Sequence, residues 1–406
     1  MNGLQTLKRK VTKKDIPFVI AAVLISWYVS MCLAHYMSAR PLWNDEWAVS
    51  LSLEQFASRD FFTRPLFAVQ MFPRLYLFLI QKISHPFDFH LLSLRFLSFV
   101  FMLSAYFLWM KIARYEMKDN KEYWTFLLCW CASIPMVYYA AELKQYSMDV
   151  LAGAIFLYFI YRQEYLQSTS RLRLNIFLVL LPALGLLSYT AFLFCLFPFT
   201  NMLVSAKKDK TLYRSLVLFC ASCVIFALLS FFFDMRFRPG AVMMPGGHAE
   251  YFISFKNVPE FFRSFGEGTN NLFSRFFAER PRVIKKIARC FLGFGFIFLF
   301  YGFFKNFKKD GGYLKSLNTI AFILYLELFA LGALHLYPFT EPRTSLVYCP
   351  FIFYLTIKGI GITKRINKYF YGILHAAFII FLMVVALCIS RIVYSGQELS
   401  FAPFLW

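Results

Sequence analysis

Ten stretches of this chain are apolar and long enough to lie in hydrocarbon: Ile16–Met37, Leu91–Met110, Tyr123–Ala140, Tyr146–Tyr161, Leu172–Ser205, Leu212–Phe233, Ile287–Phe304, Asn318–Tyr337, Thr344–Ile357 and Tyr369–Tyr394. A helix needs roughly 20 such residues to cross about 30 Å of bilayer core. Only 16% of the 406 residues are charged and 59% are hydrophobic, whereas a soluble globule carries roughly 25% charge. The chain therefore reads as an all-α polytopic membrane protein.

The run Leu172–Ser205 holds 34 residues, about 50 Å as one helix. It contains Pro182, Gly185, Ser188 and Pro198, and divides into two helices around a turn near Leu187–Thr190. Charge supports that division, because short loops rich in Lys and Arg face the cytoplasm. With two helices there, the segments Lys8–Lys14, Lys111–Lys121, Arg162–Arg173, Lys207–Arg214, Lys305–Lys315 and Lys358–Lys368 share one side and hold 24 of the 43 basic residues. A single helix would turn three of these loops outward. The expectation is about eleven transmembrane helices in one domain spanning residues 1–406, amino terminus inside, carboxyl terminus outside. The net charge of +21 is then mostly a topology signal. Split among short loops, it offers no continuous basic face for nucleic acid.

The first apolar run follows Lys8-Arg-Lys10 and Lys13-Lys14 but exceeds the 7–15 residues of a signal peptide's apolar region, so it is expected to stay as an anchor. All nine cysteines fall within predicted spans, so no disulfide framework is implied. The Cys129/Cys131 and Cys220/Cys223 spacings read as small hydrophobes in apolar runs.

Two long segments face outward, residues 38–90 and 234–286. Both are amphipathic, the first around Phe61–Ile83 and the second in its repeated Phe and Arg, and short helices lying along the membrane are predicted in each. The second holds nine basic residues, Arg236 and Arg238 among them, against five acidic ones. Such an excess fits membrane lipid headgroups or a specific lipid phosphate.

Chemistry concentrates at the outer boundary. Asp45 and Glu46 stand between Trp43 and Trp47 directly after the first span, where tryptophans anchor at headgroup level. Tyr138-Tyr-Ala-Ala-Glu142-Leu-Lys144-Gln-Tyr146 forms a tight hinge, and Asp149 lies two helical turns beyond Glu142. An acidic residue inside a span is a functional candidate or one half of a structural pair. Tyr337-Pro-Phe-Thr-Glu341-Pro-Arg343 is another outer turn, and Phe72-Pro73-Arg74-Leu-Tyr76 lies in the first loop. Together they assemble carboxylates and cations on one side of the membrane, a layout suited to an anionic lipid.

On these residues the chain resembles the GT-C superfamily of polyprenyl-phosphate-sugar glycosyltransferases, particularly the branch with protein O-mannosyltransferases and the lipid A aminoarabinose transferase. The resemblance rests on Asp45 and Glu46 after the first span, Pro73-Arg74-Leu-Tyr76, Leu94-Arg95-Phe-Leu-Ser98, Glu142-Leu-Lys144-Gln-Tyr146, and Tyr337-Pro-Phe followed by Arg343 and a span containing Pro350. These short motifs run the length of the chain in the family's order. Where the family often has arginine two residues before the tyrosine, this chain has Lys144, a point charge without the guanidinium fork.

The resemblance implies transfer of a sugar from a polyprenyl phosphate, such as undecaprenyl phosphate, to a glycolipid or cell-envelope glycan such as lipopolysaccharide. It implies an active site on the outer face of a bacterial inner membrane. In that reaction a carboxylate deprotonates the acceptor and fixed cations stabilise the departing phosphate. Asp45 is the expected base and Glu46 the alternate. The expected substrate-binding set is Arg74, Tyr76, Glu142, Lys144, Tyr146, Asp149, Arg236, Arg238, Tyr337 and Arg343. A single displacement inverts the anomeric centre. No cofactor is indicated; a divalent metal stays open, because five of the six histidines are placed outside yet no spacing matches a metal box. The rival readings are a lipid-linked saccharide flippase or other transporter, and an O-antigen ligase or polymerase centred on residues 234–286.

Overall fold

The computed structural model describes residues 16–67, 72–237, 252–274, 282–307, 314–339 and 343–396. Among them every regular element is helical. In chain order the helices are α1 (Ile16–Met37), α2 (Asn44–Gln55), α3 (Arg74–Ser84), α4 (Leu91–Glu116), α5 (Asn120–Cys131), α6 (Ile134–Tyr138), α7 (Tyr146–Thr169) and α8 (Arg171–Ala183). They continue as α9 (Ala191–Phe194), α10 (Leu196–Lys208), α11 (Tyr213–Phe233), α12 (Val258–Ser274), α13 (Arg282–Phe307), α14 (Leu317–Ala333), α15 (Cys349–Ile366) and α16 (Lys368–Tyr394).

By length and apolar character, six of these are able to cross a membrane: α1, α4, α11 with its flanking turns, α13, α15 with the turn before it, and α16. A bent pair, Asn120–Cys131 with Ile134–Ala141, makes a seventh if counted as one span. The chain is a membrane-embedded helical protein. Helices α7, α8, α10 and α14 occupy other predicted spans but lie outside that set.

Local chemistry explains the breaks. The α5–α6 pair bends by 63° where Pro135, in the first turn of α6, lacks the N–H that would continue the ladder and clashes with the preceding turn. The long apolar run 172–205 breaks between Ala183 and Ala191, through a 3-10 turn at Leu184–Leu186. Gly185 leaves room in that turn for the Phe192 ring, whose tip would lie 2.2 Å from an added Cβ. Helices α13 and α15 approach closely at another glycine: a Cβ on Gly359 would lie 2.1 Å from the carbonyl oxygen of Phe294. Small residues let helix backbones meet in this way in apolar surroundings.

Short helices are present in both segments predicted to face outward, α2 and α3 within residues 38–90 and α12 within residues 234–286. On α3 the buried residues Tyr76, Leu77, Ile80 and Ser84 recur at helical spacing against α4. Described parts of the basic loops come together at one end of the bundle. There Lys358 meets Glu122 at 2.6 Å, Arg171 meets Asp209 at 2.6 Å, and Lys315 pairs with Glu164. The nine cysteines are all free thiols.

Candidate functional site

At the opposite end, the first turn of α2 carries Asp45 and Glu46 into different environments. Glu46 is fully buried and saturated. Its carboxylate accepts from Arg40 Nη1 at 3.0 Å, from Arg95 Nη2 at 2.8 Å and Nε at 3.1 Å, and from the backbone N–H of Leu143 at 2.6 Å. The Trp43 N–H adds a weaker contact at 3.4 Å, the reciprocal half of a helix cap. Arg95 also donates to the Arg40 carbonyl at 2.6 Å, and the Arg40 guanidinium lies 4.7 Å from the Tyr138 ring centre. A buried charge survives only when paired and hydrogen-bonded in this way. Glu46, the expected alternate base, thus acts as the bolt between α2, α4 and the loop before α7; its lone pairs are already occupied.

Asp45 faces the other way. Its side chain is 35% exposed and sits between two cations, Arg343 Nη1 at 3.3 Å and Lys144 Nζ at 3.8 Å. Both cations come from distant segments and are themselves largely buried, Lys144 at 5% and Arg343 at 11% side-chain exposure. Aromatic faces back them: Lys144 Nζ is 5.8 Å from the Phe72 ring centre and the Arg343 guanidinium 5.5 Å from that of Trp43. Such contacts hold a cation without neutralising it. Burial lowers the Lys144 ammonium below its ordinary value, against the pull of Asp45 and Glu142.

The remaining members of the two motifs fix these cations. The Tyr76 and Ser98 hydroxyls lie 3.0 Å apart and 3.4 and 3.1 Å from the Lys144 carbonyl, so one donates to its neighbour and the other to that carbonyl. Tyr146 is buried with its ring edge-on to Tyr139 at 5.1 Å. Tyr337 donates to the carbonyl of Thr344, the residue after Arg343, at 2.8 Å. Glu142 is 1% exposed; its Oε1 accepts the Trp43 indole N–H at 3.1 Å. Burial, then the neighbouring charge of Glu46, pushes its carboxyl up to about 7, although Arg40, Arg343 and Lys144 pull the other way.

Arg74, Asp149 and Arg236 contact groups other than Asp45. Arg74 Nε donates to Asp234 at 2.7 Å with both side chains buried, and the Tyr189 hydroxyl also bonds Asp234. The charge of Arg74 is thereby matched within the protein, which removes it from the set of cations facing Asp45. Arg236 lies over the Phe237 ring at 4.6 Å. Asp149 is buried in α7 with hydroxyl partners, Ser188 Oγ at 2.5 Å and, through Ser188, Thr190 at 2.9 Å. The arginine or lysine partner that a structural pair would need is replaced by these hydroxyls. Arg238 lies outside the described residues.

Among the described residues no group of three His, Cys, Asp or Glu side chains is placed to hold a metal ion. His335 stacks on Phe252 with ring centres 5.0 Å apart. Sequence reasoning left Arg40 without a role, gave Trp43 only that of a headgroup anchor and treated Arg95 only as part of a motif. Their signal was an arginine on each side of a buried acid, legible once Glu46 is known to point inward. The arrangement offers an accessible carboxylate, two buried cations aimed at it and a buried carboxyl behind them. This chemistry suits the capture of an anion and the removal of a proton. Compared with known proteins, the chain matches no family model, no curated protein and no solved structure.

Proposed function

We propose that the chain is a membrane glycosyltransferase that moves a sugar from a polyprenyl-phosphate donor to an outer-face acceptor, a glycolipid or cell-envelope glycan. The observation that carries this reading is Asp45, exposed between the buried cations of Lys144 and Arg343. A donor phosphate entering there competes with Asp45 for the same two cations. Once displaced from them, the carboxylate takes the proton of the acceptor hydroxyl. The acceptor oxygen attacks the anomeric carbon, the bond to the phosphate oxygen breaks, and the lipid phosphate leaves onto Lys144 and Arg343. This single displacement inverts the anomeric centre.

The reading places Asp45 on the outer face of a bacterial inner membrane in a topology of eleven crossings, with α7, α8, α10 and α14 completing the bundle. The gathering of basic loops at the end opposite Asp45 supports it. The test is transfer of labelled sugar from polyprenyl phosphate in vesicles, comparing the native protein with Asp45→Asn and Glu46→Gln. Transfer lost in a folded Asp45→Asn protein supports the reading; full activity in that variant sinks it. A transporter is the second reading, favoured by Asp149, a carboxyl buried in a helix among hydroxyls. Saccharide movement across the vesicle membrane without bond exchange would select it.

A further inference from the structure

Glu142 is held by one oxygen only. Oε1 accepts the Trp43 indole N–H, while Oε2 is buried without a hydrogen-bond partner. A buried carboxylate oxygen lacking a donor is unfavourable when ionised; the strain is relieved by a proton on that oxygen. The indole of Trp43 links this carboxyl to the centre of the site, because its ring underlies the Arg343 guanidinium that contacts Asp45. Lys144 stands two residues from Glu142 and also reaches Asp45. The two cations thus have both an exposed carboxylate and a buried carboxyl within reach of their charge.

Resting on the glycosyltransferase reading, we infer that Glu142 is a second catalytic residue, the general acid that protonates the departing lipid phosphate while Asp45 deprotonates the acceptor. The acceptor O–H bond breaks toward Asp45 as the acceptor oxygen bonds the anomeric carbon. The bond from that carbon to the phosphate oxygen breaks, its electron pair staying on the oxygen, and the Glu142 proton moves to the phosphate. Asp45 ends with one proton more and Glu142 with one fewer, and solvent resets both. The ionised Glu142 is then matched by Lys144, Arg343 and Arg40, the cations nearest to it; Glu46, Tyr138 and Tyr139 also face it.

A carboxyl held at about 7, by burial first and by Glu46 second, has a proton to give at neutral pH, when a phosphate monoester with a second pKa of about 6 is leaving. Buried acids with raised pKa recur as general acids in sugar chemistry.

The experiment measures kcat and KM for sugar transfer against pH in vesicles holding the full chain, for native protein, Glu142→Gln and Glu142→Asp. Infrared spectra of the same membranes follow protonated carboxyl bands. The expected result is an alkaline limb in native kcat and a fall of about 10²–10⁴-fold in kcat for Glu142→Gln, with KM little changed and the limb gone. Glu142→Asp should restore part of the rate together with the limb, which a merely structural role would not do. The infrared expectation is a carboxyl band that titrates near neutrality in native protein and is missing in Glu142→Gln. Native kcat with an intact limb in Glu142→Gln overturns the acid while leaving Asp45 its role. So does a native spectrum without that band. A native protein that transfers from no lipid-phosphate donor overturns the glycosyltransferase reading itself, and the acid with it.

Discussion

Arg95 grips Glu46 at two points, Nε to Oε1 at 3.1 Å and Nη2 to Oε2 at 2.8 Å, across 49 residues of chain. Both side chains are essentially without solvent contact, at 1% and 0% exposure. The planar fork of an arginine matches a carboxylate in this way, and a lysine cannot reproduce it. With Arg40 and the Leu143 N–H on the same carboxylate, three chain segments meet at one buried charge.

Glu46→Gln should therefore be a stability variant. It leaves Arg40 and Arg95 buried with an uncompensated positive charge, and breaking a buried pair from one side costs about 3–5 kcal/mol. Thermal unfolding in detergent should show a clear fall in Tm, and Arg95→Lys a smaller fall of the same sign. An unchanged Tm in Glu46→Gln would contradict the bolt described above.

Asp45→Asn should behave in the opposite manner. Its carboxylate is partly solvated, and the change leaves the Glu46 contacts untouched. The Tm should stay close to native, while sugar transfer falls by about 10²–10⁴-fold. Comparable unfolding of both neighbours would refute the division of labour between them.

Glu142 makes stability depend on pH. Its carboxyl rises from an ordinary 4.5 to about 7 on folding, so between those values the folded state holds a proton that the unfolded state has released. Stability from this group is full below about 4.5, declines as pH rises through the window to about 7, and is level above it. Unfolding measured from pH 4.5 to 8 should show that decline in native protein, with a shallower one in Glu142→Gln. Parallel curves would mean that the carboxyl is not shifted.

Gly359→Ala should loosen α13 from α15. The added methyl would fall 2.1 Å from the Phe294 carbonyl oxygen, which is backbone and cannot rotate away. Overpacking of this kind costs about 1–3 kcal/mol. Crosslinking between cysteines placed on the two helices, or Tm, should register the separation; a native Tm would show that the helices slide apart without strain.

The hydrophobic runs, the break inside residues 172–205 and the gathering of Asp45, Lys144 and Arg343 could be argued from the chain because each follows from local spacing or charge. The different fates of Asp45 and Glu46 could not. Successive residues on a helix point about 100° apart, so one of the pair had to face inward, but which one depends on where Arg40 and Arg95 end up. Arg74 was indistinguishable from a phosphate ligand until its partner Asp234, 160 residues away, came into contact. The bend at Pro135 was missed, because the run Tyr123–Ala140 is hydrophobic enough to pass for one straight rod and only the proline inside it turns the chain.

That bend turns a stretch of main chain away from its own ladder, and other parts of the protein repair it. Tyr28 of α1 donates its hydroxyl to the Met136 carbonyl at 2.9 Å, Ser147 of α7 donates to the Tyr139 carbonyl at 2.5 Å, and Glu46 receives the Leu143 N–H. The segment that delivers Glu142 and Lys144 is a suspended walkway, hung from these anchorages together with the Trp43 indole and the Tyr76 and Ser98 hydroxyls. Lengthening or cutting any one cable, as Tyr28→Phe would, moves the charges it carries without touching them, so the coordinates of the reactive groups are stored in residues that never meet a substrate.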